Sequence, residues 1–138
     1  MGGTAQWDDP EKVRARFVRF GVENIVSHYR LTSEAFFQNY PSTGLGDIDL
    51  AFIDGNHAFS AVRHDFLAVL NHSHKNSYLL MHDTHLQIRE LLRHAGVKRL
   101  TRRLLKNPED FEVIDFPFSS GLAMIRVLNN GPWESLSL

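Results

Sequence analysis

The chain has 138 residues, 43% hydrophobic and 22% charged, with no Cys. That suits one soluble globular domain over 1–138 and excludes disulfides, zinc-thiolate centres and a cysteine nucleophile. Fifteen Lys and Arg against sixteen Asp and Glu give a formal net charge of -1, so no whole-chain attraction to nucleic acid or to a membrane follows. No apolar run approaches the roughly 20 residues of a membrane helix, and the start lacks a signal-peptide pattern, so a cytoplasmic protein is expected.

Residues 1–8 and 129–138 carry little pattern and are expected to be disordered or irregular. Asp9-Pro10-Glu11 reads as N-cap, N1 proline and first-turn acid. Val13, Phe17 and Phe20 follow at helical spacing, and Gly21 stops the helix. A short β-prone stretch, 24–31, precedes Thr32-Ser33, either of which can cap a helical turn through Phe36-Phe37, and a loop spans 41–46. Ile48 to Ile53 is a mostly apolar strand ending in the polar turn Asp54-Gly55-Asn56-His57, with Phe52 taken as a core position. A helix with Val62, Phe66, Val69 and Leu70 on one face comes next, then a loop over 72–76. Tyr78 to Met81 reads as a second buried strand, ending in His82-Asp83-Thr84-His85. Helical spacing runs from Leu86 to about Leu105 with Gly96 as a break. Two last strands, 111–116 and 122–128, flank Pro117 to Gly121. Alternating strands and helices predict an α/β fold with a mostly parallel sheet, helices on both faces and an antiparallel C-terminal edge strand.

Ligands in such sheets bind beyond the carboxyl ends of the strands, which is where Asp54, His57, His82, Asp83 and His85 fall. Carboxylates and neutral imidazoles together can hold a divalent metal, and His57 is a candidate general base. The plain alternative is that Asp54 and Asp83 cap the following helices. The segment 89–106 holds seven basic residues against one acid, more simply a solvated face than a nucleic-acid surface, because no aromatic interleaving accompanies it. Phe36-Phe37 and Phe116 to Phe118 read as core or interface aromatics.

Two resemblances attach to these residues. Gly55-Asn56-His57 is similar to the Gly-Asn-His core of metallophosphoesterases, although the other motifs of that family are absent, and a metal-dependent hydrolase is a third-ranked reading. The longer resemblance is to class I S-adenosylmethionine-dependent methyltransferases, in the branch whose fourth strand ends Ile-Asp-Gly-Asp-His and whose fifth ends His-Asp-Thr. Here the corresponding residues are Ile53-Asp54-Gly55-Asn56-His57 and His82-Asp83-Thr84. Val62 and Asp65 in the intervening helix, Thr32-Ser33, and Gly121 to Ile125 extend it over roughly residues 10–128.

The resemblance implies a Rossmann-like fold and a metal-assisted O-methyltransferase acting on a small hydroxylated molecule. It implies S-adenosylmethionine as donor, bound by Thr32, Ser33, Asp54 and Gly55. It implies a divalent metal, Mg2+ in the family, held by Asp54, His82 and Asp83, with His57 and Asp54 as catalytic residues. His82 stands where some members carry an acid.

The family's Gly-x-Gly-x-Gly turn and its first two strands have no counterpart in this sequence. The stretch 24–31, similar to the third strand, then lacks its usual neighbours. It is expected to pair directly with 48–53 or with another subunit, making a homodimer or another partner part of the reading. A catalytically inactive methyltransferase remnant acting as a dimerising or binding module is the alternative.

Overall fold

The computed structural model describes residues 9–85, 95–133 and 136. They fall into two compact units, residues 1–36 and 37–138. In the first, helix α1 (Pro10–Phe20) begins where the sequence signals place it: Asp9 Oδ1 accepts from the amides of Glu11 and Lys12 at 3.1 and 3.3 Å, and Lys12 Nζ lies 3.1 Å from Asp9 Oδ2. These donors hold the Asp9 carboxyl below the usual carboxylate range. Gly21 closes the helix at φ 66°, a left-handed conformation that costs glycine no steric penalty. Val13 is buried and Phe20 is largely exposed, so the inward stripe is narrower than the spacing implied.

Residues 24–31 form no strand: they are turn and irregular chain, with Ile25, Tyr29 and Leu31 exposed. The expected direct pairing with 48–53 is therefore not formed. β-propensity becomes a strand only where a partner edge satisfies the backbone groups. Helix α2 (Ser33–Gln38) follows, with Thr32 Oγ1 accepting from the Ala35 amide at 3.2 Å.

The second unit is built on a four-stranded sheet of β1 (Ile48–Ile53), β2 (Ser73–His82), β3 (Phe111–Phe116) and β4 (Leu122–Val127), in the order β1-β2-β4-β3. β1 pairs parallel with β2, and β4 pairs antiparallel with both β2 and β3. Three strands thus run one way and the last runs against them. The antiparallel C-terminal strand expected from sequence is present, but it is inserted between β2 and β3 instead of lying at the edge. The loop expected over 72–76 is largely strand. Its irregularity survives as a register shift: Ile48 pairs with Ser73 and Leu50 with Tyr78. Asn76 takes φ 76°, and Ser77 Oγ donates to the Ile48 carbonyl at 2.6 Å.

Helices α3 (Phe59–Leu70) and α4 (Gly96–Leu104) pack on one face of this sheet. Among the described residues neither lies on the other face, where Leu50, Phe52, Tyr78, Ile114 and Phe116 are exposed. The predicted helical stretch 86–94 lies outside the described residues. α3 buries Val62, Phe66, Val69 and Leu70, the stripe read from its spacing. These meet Leu79, Met81, Leu100, Leu104 and Ile125, all fully buried, each contributing about 1.5–3 kcal/mol on leaving water. Phe66 packs edge-on against Phe111, which stacks on Trp133. Trp133 and Leu136, in the stretch expected to be irregular, therefore pack against the core. Phe37 also packs against the core, whereas Phe118 is 81% exposed.

Phe52 is a correction. It is 58% exposed, while Ile53 beside it is 8% exposed, because successive strand residues face opposite sides and, among the described residues of the second unit, α3 and α4 cover the side of Ile53. Among the described residues no helix is long and apolar enough to cross a membrane.

Two expectations follow. Phe66→Ala should cost about 3–5 kcal/mol in urea unfolding and Phe52→Ala less than about 1.5 kcal/mol; equal costs would contradict the one-sided core. His74 presents Nδ1 to the Lys75 carbonyl and Nε2 to Asp49 Oδ1, both at 2.8 Å. The carbonyl first, and the carboxylate second, raise its pKa above the ordinary 6.5. The charged ring is favoured by the fold, so its stabilisation is complete below the unfolded value and fades as pH rises through the folded one. An NMR titration should place the His74 midpoint above 6.5, and Asp49→Asn should lower it; a midpoint unmoved by that change would refute the pairing.

Candidate functional site

Strand register assembles the site. Ile53 pairs with Met81 across β1 and β2, and His82 pairs with Leu122 across β2 and β4. Asp54, His82 and Asp83 thus leave the sheet side by side. The β3–β4 loop returns to the same end and brings Ser120 with it.

The turn after β1 is fixed locally. Asn56 Oδ1 accepts from the Ala58 amide at 2.9 Å, and the His57 carbonyl accepts from the Gly96 amide at 3.2 Å. A Cβ on Gly96 would collide with the backbone of His57, Ala58 and Phe59, so only glycine lets α4 approach the site turn this closely. Arg99 and Arg103 lie over the Phe59 ring at 4.3 and 4.7 Å, which gives part of the basic segment a packing role. Helix α3 begins at Ala58 without a side-chain cap, so Asp54 is not its cap.

The four side chains converge. His57 Nε2 lies 3.1 Å from Asp83 Oδ2 and 3.9 Å from Asp54 Oδ1. His82 Nδ1 lies 3.2 Å from Asp83 Oδ1 and 3.4 Å from Asp54 Oδ1. Asp54, His57 and Asp83 each offer a ligand atom within 4.8 Å of the others. Asp83 and His57 are mostly covered, with 15% and 22% of their side chains exposed, while Asp54 is about half exposed. Two carboxylates this close repel by a few kcal/mol, on the order of 3 at an effective dielectric of about 20, before solvent at Asp54 reduces it. The arrangement calls for positive charge at its centre.

Backbone geometry at Asp83 is unusual. Its φ is 63°, a left-handed conformation costing roughly 1–2 kcal/mol in a non-glycine residue. It is held by its amide donating to the Gly121 carbonyl at 3.0 Å. Strain retained at a cluster of ionisable groups points to function.

The predicted residues divide as follows. The structure brings Asp54, His57, His82 and Asp83 together. Gly55 lies in the same turn, where a Cβ would come within 3.2 Å of Asp65 Oδ2. Thr32 and Ser33 belong to the first unit, where Thr32 opens α2. His85 engages Asp115 of β3 through Nε2 at 2.6 Å, beside Thr84, whose hydroxyl donates to the other oxygen of Asp115 at 3.0 Å. Ser120, with Oγ 3.1 Å from His82 Nε2, was not singled out from the sequence. A Ser-Gly turn carries no chemical motif, and only the return of the β3–β4 loop places it here.

Comparison with known proteins matches residues 3–84, more than half the chain, to a methyltransferase domain family. The chain belongs to that family. Its fold is shared with solved O-methyltransferases. TomG of Streptomyces achromogenes, an O-methyltransferase of tomaymycin synthesis in complex with S-adenosylmethionine, is 17% identical with a TM-score of 0.65, over 86% of this chain and 57% of that one. The O-methyltransferase of Bacillus cereus, in complex with S-adenosylhomocysteine, is 16% identical with a TM-score of 0.64, over 85% and 57%. A methyltransferase of Podospora anserina bound to S-adenosylhomocysteine is 19% identical with a TM-score of 0.58, over 88% and 58%. The chain thus spans somewhat over half the length of these structures, and at such identities the likeness is one of fold. No curated protein matches in sequence.

Proposed function

We propose that this methyltransferase domain moves the methyl group of S-adenosylmethionine to the hydroxyl of a small acceptor, in the cytoplasm, with Asp54, His57 and Asp83 at the reacting end. One observation carries the reading: in a methyltransferase fold, three groups able to take a proton or a cation converge within 4.8 Å at the carboxyl ends of adjacent parallel strands. Within the second unit, Asp54 and Gly55 are the proposed contacts to the donor.

His57 takes the acceptor's proton on Nε2, where Asp83 Oδ2 at 3.1 Å steadies the imidazolium. The freed oxygen attacks the methyl carbon, the carbon–sulfur bond breaks, and S-adenosylhomocysteine leaves. Asp54 adds negative charge on the other side of the imidazole at 3.9 Å. The rigid turn around His57 restricts its approach, so much of the rate comes from orientation. The donor set also fits a divalent cation, because His82 Nδ1 is buried without a hydrogen bond beside both carboxylates. Such an ion would be held by Asp54, His82 and Asp83 and would supply acidity to an acceptor hydroxyl, with the His57 lone pair left for the proton. Mg2+ is the ion implied by the resemblance.

A second reading, a non-catalytic binding or dimerising module, is favoured by one feature: no Gly-x-Gly-x-Gly turn occurs in the 138 residues. Calorimetric titration of S-adenosylmethionine, with and without Mg2+, separates the two. Micromolar binding is expected. His57→Ala should keep that binding and lower methyl transfer by about 10²–10⁴-fold; absence of binding in both conditions would leave the module reading in its place. We also propose that a second copy covers β1, which hydrogen-bonds to β2 on one side and exposes Leu50 and Phe52. Sedimentation as a monomer at micromolar concentration would remove that part.

A further inference from the structure

We propose that the outward face of α4 is a docking surface for single-stranded nucleic acid, with Lys98, Arg99, Arg102, Arg103 and Lys106 meeting the phosphates and Phe59 bracing two of the arginines. The inference concerns binding alone and is independent of methyl transfer.

The cations of this segment have no compensation within it. Residues 96–108 hold these five basic residues and no acid, and among the described residues none of the five is ion-paired. Four-residue spacing sets Lys98, Arg102 and Lys106 in one row and Arg99 and Arg103 in another, with steps of about 6 Å along the axis. Like charges at that spacing destabilise a helix. Arg102 and Arg103, in the last turn, suit the macrodipole, whereas Lys98 and Arg99 stand near its positive end with no acid to offset them. Helix chemistry accounts for the cations at the end of α4 and not for those at its start. A nucleic-acid strand repeats one negative charge per nucleotide, so a strand laid along the helix meets cation after cation.

Folding pins this face outward. Val97, Leu100, Thr101 and Leu104 are buried, while Arg99, Arg102 and Lys106 are exposed. Because the apolar stripe already lies in the core, α4 has none to insert into a membrane surface. A patch this rich in charge, with Leu105 as its exposed apolar residue, suits a phosphate backbone better than a protein partner, whose interface core is depleted in charge.

The aromatic group missing among the basic residues of the sequence is supplied by α3. Arg99 and Arg103 lie 4.3 and 4.7 Å from the centre of the Phe59 ring, and Phe59 itself packs against the core. Guanidinium groups steadied in this way lose less freedom on binding, and a guanidinium plane offers a stacking surface to an unpaired base. Among the described residues no ring lies under Lys98, Arg102 or Lys106, so packing does not explain them. The surface also adjoins the site, since the Gly96 amide donates to the His57 carbonyl.

The test uses the full chain without donor or metal. Fluorescence anisotropy with a labelled single-stranded RNA of about 12 nucleotides should give a micromolar Kd at about 50 mM salt. Log affinity should fall against log salt with a slope of about 0.7 per phosphate contact, roughly 2 to 3.5 in all. Arg99→Gln combined with Arg103→Gln should weaken binding at least about tenfold. Arg102→Gln should weaken it about threefold and make the slope shallower by about 0.7, and Arg102→Lys should restore both. Phe59→Leu removes no charge and should weaken binding several-fold at an unchanged slope; if it melts early, the exposed Arg99 and Arg102 variants decide. Arg19→Gln, a charge lost from α1, should change nothing. Equal losses from Arg19→Gln and Arg102→Gln, or no binding at low salt, would overturn the proposal. So would polyglutamate or phosphatidylserine vesicles binding as tightly as the RNA, in favour of an acidic protein or an anionic membrane. S-adenosylmethionine binding, measured on the same sample, judges the methyltransferase reading separately.

Discussion

Parallel pairing of Ile53 with Met81 sets the height at which both strands end, and with it the meeting of Asp54, His82 and Asp83. The pairing is held in place by burial. Ile53, Leu79 and Met81 all face the helices, and because side chains alternate, a slip of one residue would turn those groups outward. The same slip would carry Asp54 away from His82. The apolar contacts that stabilise the sheet are therefore also what assembles its polar end.

Backbone hydrogen bonds convert that proximity into a fixed geometry. Gly96 ties the turn of His57 to the start of α4, and Gly121 and Ser120 tie the β3–β4 loop to Asp83 and His85. At Gly96 and Gly121 the chains approach too closely for a side chain. The left-handed Asp83 costs stability at its own position. It is offset by the contacts of the loop across from it, as expected where a site must be held in one arrangement.

β1 has two characters. Toward the helices it buries Ile53; on the other face Leu50 and Phe52 remain exposed, and the strand carries neither Lys nor Pro to discourage pairing. Asp49 is its one charged residue, and it is engaged by His74 at the start of β2, fastening the two strands where their register shifts. The uncovered face belongs to a chain that spans somewhat over half the length of the methyltransferases it resembles in fold.

Local chemistry was enough to read several elements from the sequence. Asp9-Pro10 and Gly21 bound α1, apolar runs bound β1 and the end of β2, and the 3.6-residue spacing of Val62, Phe66, Val69 and Leu70 gives the buried stripe of α3. The polar ends of the strands, Asp54 to His57 and His82-Asp83, were legible for the same reason: a run of apolar residues stops there. Partnership was not legible. Whether 24–31 forms a strand depends on an edge to pair with, whether Phe52 is buried depends on which face carries helices, and the place of β4 between β2 and β3 depends on the return path of a loop. His85 looked equivalent to His82 until Asp115, 30 residues away, took it, and Ser120 had no signal at all. Sequence determined what each segment prefers and where charge interrupts apolar chain, since those are properties of neighbouring residues; the tertiary structure decided which of these groups meet, since pairing across 25 to 40 residues is set by the burial of the whole sheet.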